Sequence, residues 1–350
     1  MKKKLLFVVA FFMYLTIFTQ NMSRKFTIKT IAFYNVENLF DTINNPTKDD
    51  ELSPIMGIKG NKSGIYFNKI NQIAKVISQI GFEKTKKSPT IIGLAEVEND
   101  TVLKDLLKSN YLKDKGYEII HYDSPDKRGI DVALLYQKDE FKPIHHQVFN
   151  PNIYKDNQKI HTRDQLLVSG YLDNELIHII VNHWPSRRGG EEKSRPFREK
   201  AAYKNVQILE KIKETEKNPK VFLLGDFNDD PTSSSLKKVL KTKKNKNTLK
   251  ENELYNPYEN MFKRGLNTLG YRDNINLFDQ IIISSSLIST SKDDFSSYKF
   301  FKAMIFNKRF LTNKKGKFKG YPFRSFSYQT YLGGYSDHYP VYIYVIKEQG

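Results

Sequence analysis

No cysteine occurs in the 350 residues, which excludes a disulfide framework, thiolate metal sites, iron–sulfur clusters and a cysteine nucleophile. Acidic residues are scarce beside basic ones: 39 Asp and Glu stand against 57 Lys and Arg, a formal charge of +18. That imbalance points to a polyanionic partner, nucleic acid or an anionic membrane surface. Past the amino terminus no apolar run approaches the ~18 residues of a membrane span. No repeat and no Pro- or Ser-rich linker divides the chain. Hydrophobic residues make up 39%, enough in a chain this long to bury a core without a metal staple. Any bound metal must be held by oxygen and imidazole.

Lys2, Lys3 and Lys4 precede an apolar stretch from Leu5 to Phe18, with Thr19, Gln20 and Asn21 beyond. A basic start before a short apolar segment reads as an export signal over residues 1–22, or as an anchor where it is not cleaved. The expected location is secreted or periplasmic, or the membrane if the leader stays. Residues 23–350 read as one domain.

Runs rich in Ile, Val, Phe and Tyr predict strands at Phe26–Tyr34, Thr90–Val97, Asp131–Tyr136, Glu175–Asn182, Val221–Gly225, Asp279–Ile283 and Val341–Ile346. Ile70, Ile73, Ile77 and Ile80 keep helical spacing, as do Val102, Leu103, Leu106 and Leu107, and Phe197–Glu216 is a third helix candidate. Helices and strands interleave early, while strands follow strands in the middle. The pattern predicts an α/β fold of stacked sheets with helices outside.

Several of these strands stop abruptly at carboxylates, amides or imidazoles. The stops are Asn35-Val36-Glu37-Asn38, Glu96-Val97-Glu98-Asn99-Asp100, Asn182-His183-Trp184 and Asp226-Phe227-Asn228-Asp229-Asp230, and Ser336-Asp337-His338 precedes the last strand. One such ending is a turn or helix cap; five of them converging would line a cleft. Carboxylate and amide oxygens are ligands for a hard divalent cation, and histidine moves protons near neutral pH. Together they point to metal-assisted attack of water on a phosphoester.

In order along the chain stand Phe-Tyr-Asn35-Val-Glu-Asn, Leu-Ala-Glu96-Val-Glu, Arg128-Gly-Ile-Asp-Val-Ala-Leu-Leu-Tyr, Val-Asn-His183-Trp-Pro-Ser-Arg, Gly-Asp226-Phe-Asn228, Phe-Asp279-Gln-Ile-Ile and Ser-Asp337-His338-Tyr-Pro-Val. This ordered set resembles the endonuclease/exonuclease/phosphatase superfamily from about Ile28 to Ile346. The resemblance implies the DNase I-like four-layer α/β sandwich, two mostly antiparallel sheets flanked by helices. It implies Glu96 as principal ligand of Mg2+ (Mn2+ or Ca2+ as substitutes), with Asn35 beside it and Asp337 toward a second metal. Asp226 would orient or deprotonate the attacking water, and Asn228 would hold a phosphate oxygen. His338, oriented by Asp279, and His183 would bind phosphate or move protons. Arg128 and Arg187 complete the set as substrate contacts.

Glu37 and Glu98 depart from the common pattern and read as solvated loop charges, with binding of a second cation as the alternative. His121, His145, His146, His161 and His178 lack a motif and read as structural or exposed. Leu236–Lys250 holds seven lysines and no acid, and Asn307–Lys319 holds six basic residues with Phe310 and Phe318 interleaved; each suits a phosphate backbone. The expectation is an exported nuclease acting on DNA, with RNA as a further substrate and no protein partner. The alternatives are a phospholipid, sphingomyelin or inositol-phosphate hydrolase, with Trp184, Tyr331 and Tyr335 facing a membrane interface, and a non-catalytic polyanion-binding protein.

Overall fold

Alternation with period two, carried on strands buried on both faces, organises the molecule. The computed structural model describes residues 24–271, 274–289, 291 and 294–349; the expected export signal lies outside them. Two six-stranded sheets are built from β1 (Phe26–Leu39), β2 (Ile91–Val97), β3 (Tyr117–His121), β4 (Asp131–Gln137), β5 (Phe141–Phe149), β6 (Gln165–Leu172), β7 (Glu175–His183), β8 (Val221–Asp226), β9 (Leu254–Tyr255), β10 (Asp279–Ser284), β11 (Lys299–Ile305) and β12 (Val341–Glu348). One sheet runs β11-β12-β1-β2-β4-β3 and the other β9-β10-β8-β7-β6-β5. Each has a single parallel pair at its centre, β1 with β2 and β7 with β8, and is otherwise antiparallel.

A parallel pair needs a crossover, and helices supply both. Helix α1 (Lys62–Gln79) links β1 to β2, and α3 (Glu191–Lys213) links β7 to β8, while α2 (Asp100–Lys108) follows β2. Ile70, Ile73, Ala74 and Ile77 of α1 and Val102, Leu103 and Leu106 of α2 pack on Ala32, Tyr34, Ile92 and Leu94. Ala201, Ala202, Ile208 and Ile212 of α3 pack on Ile180, Val221 and Leu223 of the other sheet. The alternate residues Ile31, Phe33, Ile91, Ile179, Val181, Phe222, Leu224, Ile281 and Ile343 fill one core between the sheets. The result is the expected four-layer sandwich, the arrangement that buries both faces of both sheets. No helix among the described residues is long and apolar enough to cross a membrane.

The expected strands stand within a residue or two at most starts, while several run on at their ends. The α3 helix starts six residues before the expected Phe197 and runs through Pro196. Its first turn is tied by Ser194 Oγ to Gly190 O at 2.7 Å and by Arg198 to Ser194 Oγ at 2.8 Å. Gly93 sits on the inward column of β2, where an added Cβ would lie 2.2 Å from Leu224 Cδ1 and 3.1 Å from Val181 Cγ1. Gly93→Ala is therefore expected to destabilise by about 1–3 kcal/mol through overpacking. Denaturant melts of Gly93→Ala and of its pair with Leu224→Val test this: the second change should recover part of the loss.

Candidate active site

The inward columns end in polar residues at a common rim. On β1 the series Ile31, Phe33 continues to Asn35; on β7, Ile179 and Val181 continue to His183; on β8, Phe222 and Leu224 continue to Asp226; and β10 begins at Asp279, paired directly with Asp226. Because β1, β2, β7 and β8 run toward this rim and β10 and β12 start from it, the carboxyl ends of four strands meet the amino ends of two. Glu96 reaches the rim differently. The β1–β2 and β2–β4 registers shift around it, and its φ is +64°. A bulge of this kind re-aims one side chain out of the alternation.

These residues touch. Asn35 Nδ2 donates to Glu96 Oε1 at 3.1 Å and to Asp226 Oδ2 at 3.0 Å, while its Oδ1 accepts from Glu37 N at 3.0 Å. Glu96 Oε2 accepts from Asn38 N at 2.9 Å, and Asp226 Oδ1 accepts from Asn228 N at 2.9 Å. Glu37, Asn38 and Asn228 all have left-handed φ, at +52°, +50° and +48°, so the turns that aim these N–H groups store backbone strain. Burial pushes the Asp226 carboxyl up to about 7, with Asp279 and Glu96 adding to the rise against the opposing His338.

The pKa values of the two histidines are displaced in opposite directions. His338 Nδ1 is 2.7 Å from Asp279 Oδ2, and its backbone N–H donates to Ser336 Oγ, which in turn bonds Asn35 O. Burial disfavours the charged His338 ring, but Asp279, Asp226 and Asp337 outweigh it and hold its pKa well above the imidazole range. His183 lies with Nε2 at 3.7 Å from Asp226 Oδ2 and 3.9 Å from Glu96 Oε1. Burial, then Arg163 and Arg128, push its pKa well below the usual value. His338 is the imidazolium of the pair and His183 the neutral ring.

Arg163, which carries no motif, is buried and holds this corner: Nε donates to His183 O, Nη2 to Trp184 O, and Nη1 pairs with Asp126 Oδ2 at 3.2 Å. Arg128 sits half-exposed across both oxygens of Asp126, with Nε on Oδ1 and Nη2 on Oδ2. Arg187 departs from the expected substrate contact. Its Nε donates to Asn228 O at 3.0 Å, Nη1 pairs with Glu191, Nη2 reaches Asp229 and Asp230, and the guanidinium stacks 4.5 Å over Phe278. Arg198, fully buried, pairs with Asp229 at 2.7 Å. Arg187 and Arg198 of the basic segment after His183 are thus spent on fixing the turn that carries Asn228, whose Nδ2 donates to Trp184 O at 2.9 Å.

Other expectations are corrected here. Trp184 and Tyr335 are not exposed aromatics: Trp184 packs edge-on against Phe227 with Nε1 on Asn182 Oδ1, and Tyr335 packs on Phe310. Tyr331 is half-buried, with its hydroxyl on Asn68 Oδ1. Glu37 and Glu98 are buried rather than solvated: Glu98 Oε2 accepts from Asp41 N at 2.6 Å, and Glu37 holds Arg324, Ser325 and Phe326. His121 pairs with Asp131, His146 with Tyr122, and His178 lies between Ser169 and Glu216.

A divalent cation fits this rim. Glu96, Asp226, Asp279 and Asp337 converge here, opposed by His338, Arg324 and the buried Lys69, and the Asp226 carboxyl is raised first by burial, with Asp279 and Glu96 adding to the rise. Asp226, Asp279 and His338 offer ligand atoms that all lie within 4.8 Å of one another. Asp279 Oδ2 and His338 Nδ1 are engaged with one another, which leaves the Glu96 carboxylate as the donor that suits a hard ion; the Asn35 side chain lies beside it with its NH2 toward Glu96 and Asp226, so its amide must turn to offer the oxygen.

The sequence matches the Endonuclease/Exonuclease/phosphatase family over residues 30–347. No curated protein sequence matches the chain. Among solved structures, D. rerio TDP2 complexed with a single-strand DNA product superposes with a TM-score of 0.53 at 14% identity, covering 91% of this chain and 99% of that one. Human Nocturnin's catalytic domain with bound sulfate gives 0.53 at 16% identity, covering 94% and 98%. A mannosyl-6-phosphatase of Bacteroides thetaiotaomicron gives 0.51 at 18% identity, covering 91% and 99%.

Proposed function

The chain belongs to the endonuclease/exonuclease/phosphatase family, whose members are divalent-metal-dependent phosphoesterases, and from that premise we propose that it is an exported, Mg2+-dependent nuclease cleaving phosphodiester bonds in DNA. The observation that carries the substrate is a loop tied to Tyr339, the chain neighbour of His338. Lys314, Lys315, Lys317 and Lys319 are exposed and form no ion pair among the described residues, and Phe318 stands out beside them, 57% exposed. The loop is closed by Gly320 N to Asn313 O and Asn313 N to Tyr321 O, and it is fastened to Tyr339, the neighbour of His338, through Thr312 Oγ1 at 2.7 Å. Free cations with one aromatic are what a nucleic-acid strand uses. Leu236–Lys250 differs: it lies along the β9 edge, with Lys237 on Glu259 and Lys243 toward Glu253. The DNA-bound TDP2 structure on the same fold is consistent with this reading.

Glu96, with the Asn35 amide oxygen once turned toward it, would hold Mg2+, which when bound would supply Lewis-acid stabilisation of charge on the phosphoester. Asp226, buried and raised to about 7, takes the proton of the attacking water. His338, the protonated ring, gives a proton to the leaving oxygen or a hydrogen bond to the phosphate. His183, held neutral, serves as a hydrogen-bonding partner of the phosphate rather than as the acid.

Supercoiled plasmid incubated at low salt with Mg2+, Mn2+, Ca2+ or excess EDTA tests the proposal. Nicking that needs metal is expected. Replacing the four loop lysines with serine should flatten the salt dependence by up to about 0.9 per lost phosphate contact. Intact plasmid alongside turnover of mannose 6-phosphate or labelled lipid vesicles would move the assignment to those phosphoesters.

A further inference from the structure

Three carboxylates, Glu37, Glu96 and Asp337, stand on the β1 side of the rim, enough oxygens to hold more than one divalent ion. One position among them is already filled by the chain. Arg324 Nε lies 3.1 Å from Glu37 Oε1, and its Nη2 lies 3.1 Å from Asp337 Oδ2. Glu37 Oε1 also accepts from Phe326 N, and Oε2 accepts from Ser325 N at 2.6 Å. With three N–H donors on two buried oxygens, that carboxylate is fully engaged. The Lys69 ammonium bonds the Glu37 main-chain oxygen and fixes the same turn from α1.

We propose that Arg324 is the second cation of this site, built into the chain: its guanidinium spans Glu37 and Asp337 where a second divalent ion would sit, so the enzyme works with one exchangeable ion at Glu96. The Asp337 charge bears on Glu37, and two cations answer it: the buried Lys69 ammonium at the Glu37 main chain and the Arg324 guanidinium, which alone touches both carboxylates. A guanidinium forks across two carboxylates in a way a lysine cannot, and it stays charged at every pH the protein meets. It also does not dissociate when divalent ions are scarce. The Arg324 side chain is 47% exposed, so its remaining N–H groups face the solvent side of the rim, where a substrate phosphate would approach.

The test is the number of Mn2+ ions bound, read by calorimetric titration and by the paramagnetic resonance of free Mn2+, on the purified protein. Arg324→Met is expected to bind one more Mn2+ than the wild type, because Asp337 is released and Glu37 Oε1 loses one of its two donors. Adding Asp337→Asn to that variant should remove the extra ion. In the wild-type background, Asp337→Asn alone should leave the number unchanged. This last measurement keeps the proposal open to refutation even where Arg324→Met fails to fold. An unchanged count in a folded Arg324→Met, or an ion lost from Asp337→Asn alone, overturns it.

Discussion

Asp226→Asn is expected to lower kcat by roughly 10³-fold while leaving the protein folded. The asparagine keeps the volume of the buried side chain and cannot take a proton from water. Both carboxylate oxygens of Asp226 accept hydrogen bonds, from Asn35 Nδ2 and from Asn228 N. An amide must turn its NH2 toward one of those donors, which costs about 1 kcal/mol for the lost bond. A 10³-fold loss of rate corresponds to about 4 kcal/mol, so the catalytic effect should exceed the structural one several-fold. Rates under metal saturation, set beside thermal melts, separate the two. A kcat within tenfold of wild type would refute the role given to Asp226.

Much of this site could be read from the sequence because its residues lie where hydrophobic alternation stops. Ile31, Phe33 and Asn35, or Phe222, Leu224 and Asp226, are each one column of a strand, and a column of apolar residues ending in a polar one is visible without coordinates. The chain order of the motifs then identified the family, and with it the sandwich. Strands β3, β5, β6, β9 and β11 escaped notice, β9 because it is two residues long and β5 because it is a sheet edge with a single buried residue and weak alternation. Arg163 and Arg324 escaped for a different reason. Neither lies in a strand-end motif, and each acquires its role only when distant segments meet: Arg163 on the carbonyls of His183 and Trp184, Arg324 on Glu37 across 287 residues of chain. Arg187 shows the converse. Its motif was visible, yet the residue serves Asn228 through the main chain, and spacing alone does not distinguish an arginine that binds substrate from one that holds a turn.

Removing Asp279 should have the largest effect on stability, and the effect should depend on pH. Asp279 is fully buried, and its Oδ2 lies 2.7 Å from His338 Nδ1. Taking one partner from a buried ion pair leaves the other charge uncompensated, at a cost of about 3–5 kcal/mol. The folded pKa of His338 is raised well above its ordinary value. The stabilisation from its proton is therefore fully present below the unfolded value of about 6.5 and is lost as pH rises through the folded pKa. A double-mutant cycle over wild type, Asp279→Ala, His338→Gln and the pair, melted in denaturant with EDTA, isolates the coupling. The coupling should be large at about pH 6 and fall steadily toward alkaline pH. Under the proposed mechanism the same pair would also govern turnover, since Asp279 on Nδ1 fixes the tautomer and leaves Nε2 for the phosphate. Asp279→Asn, whose amide oxygen still accepts from Nδ1–H, should retain more activity than Asp279→Ala even where the two are equally folded. A coupling that does not change with pH would show that the two side chains meet as neutral groups, and the assignment of His338 as the imidazolium would fail with it.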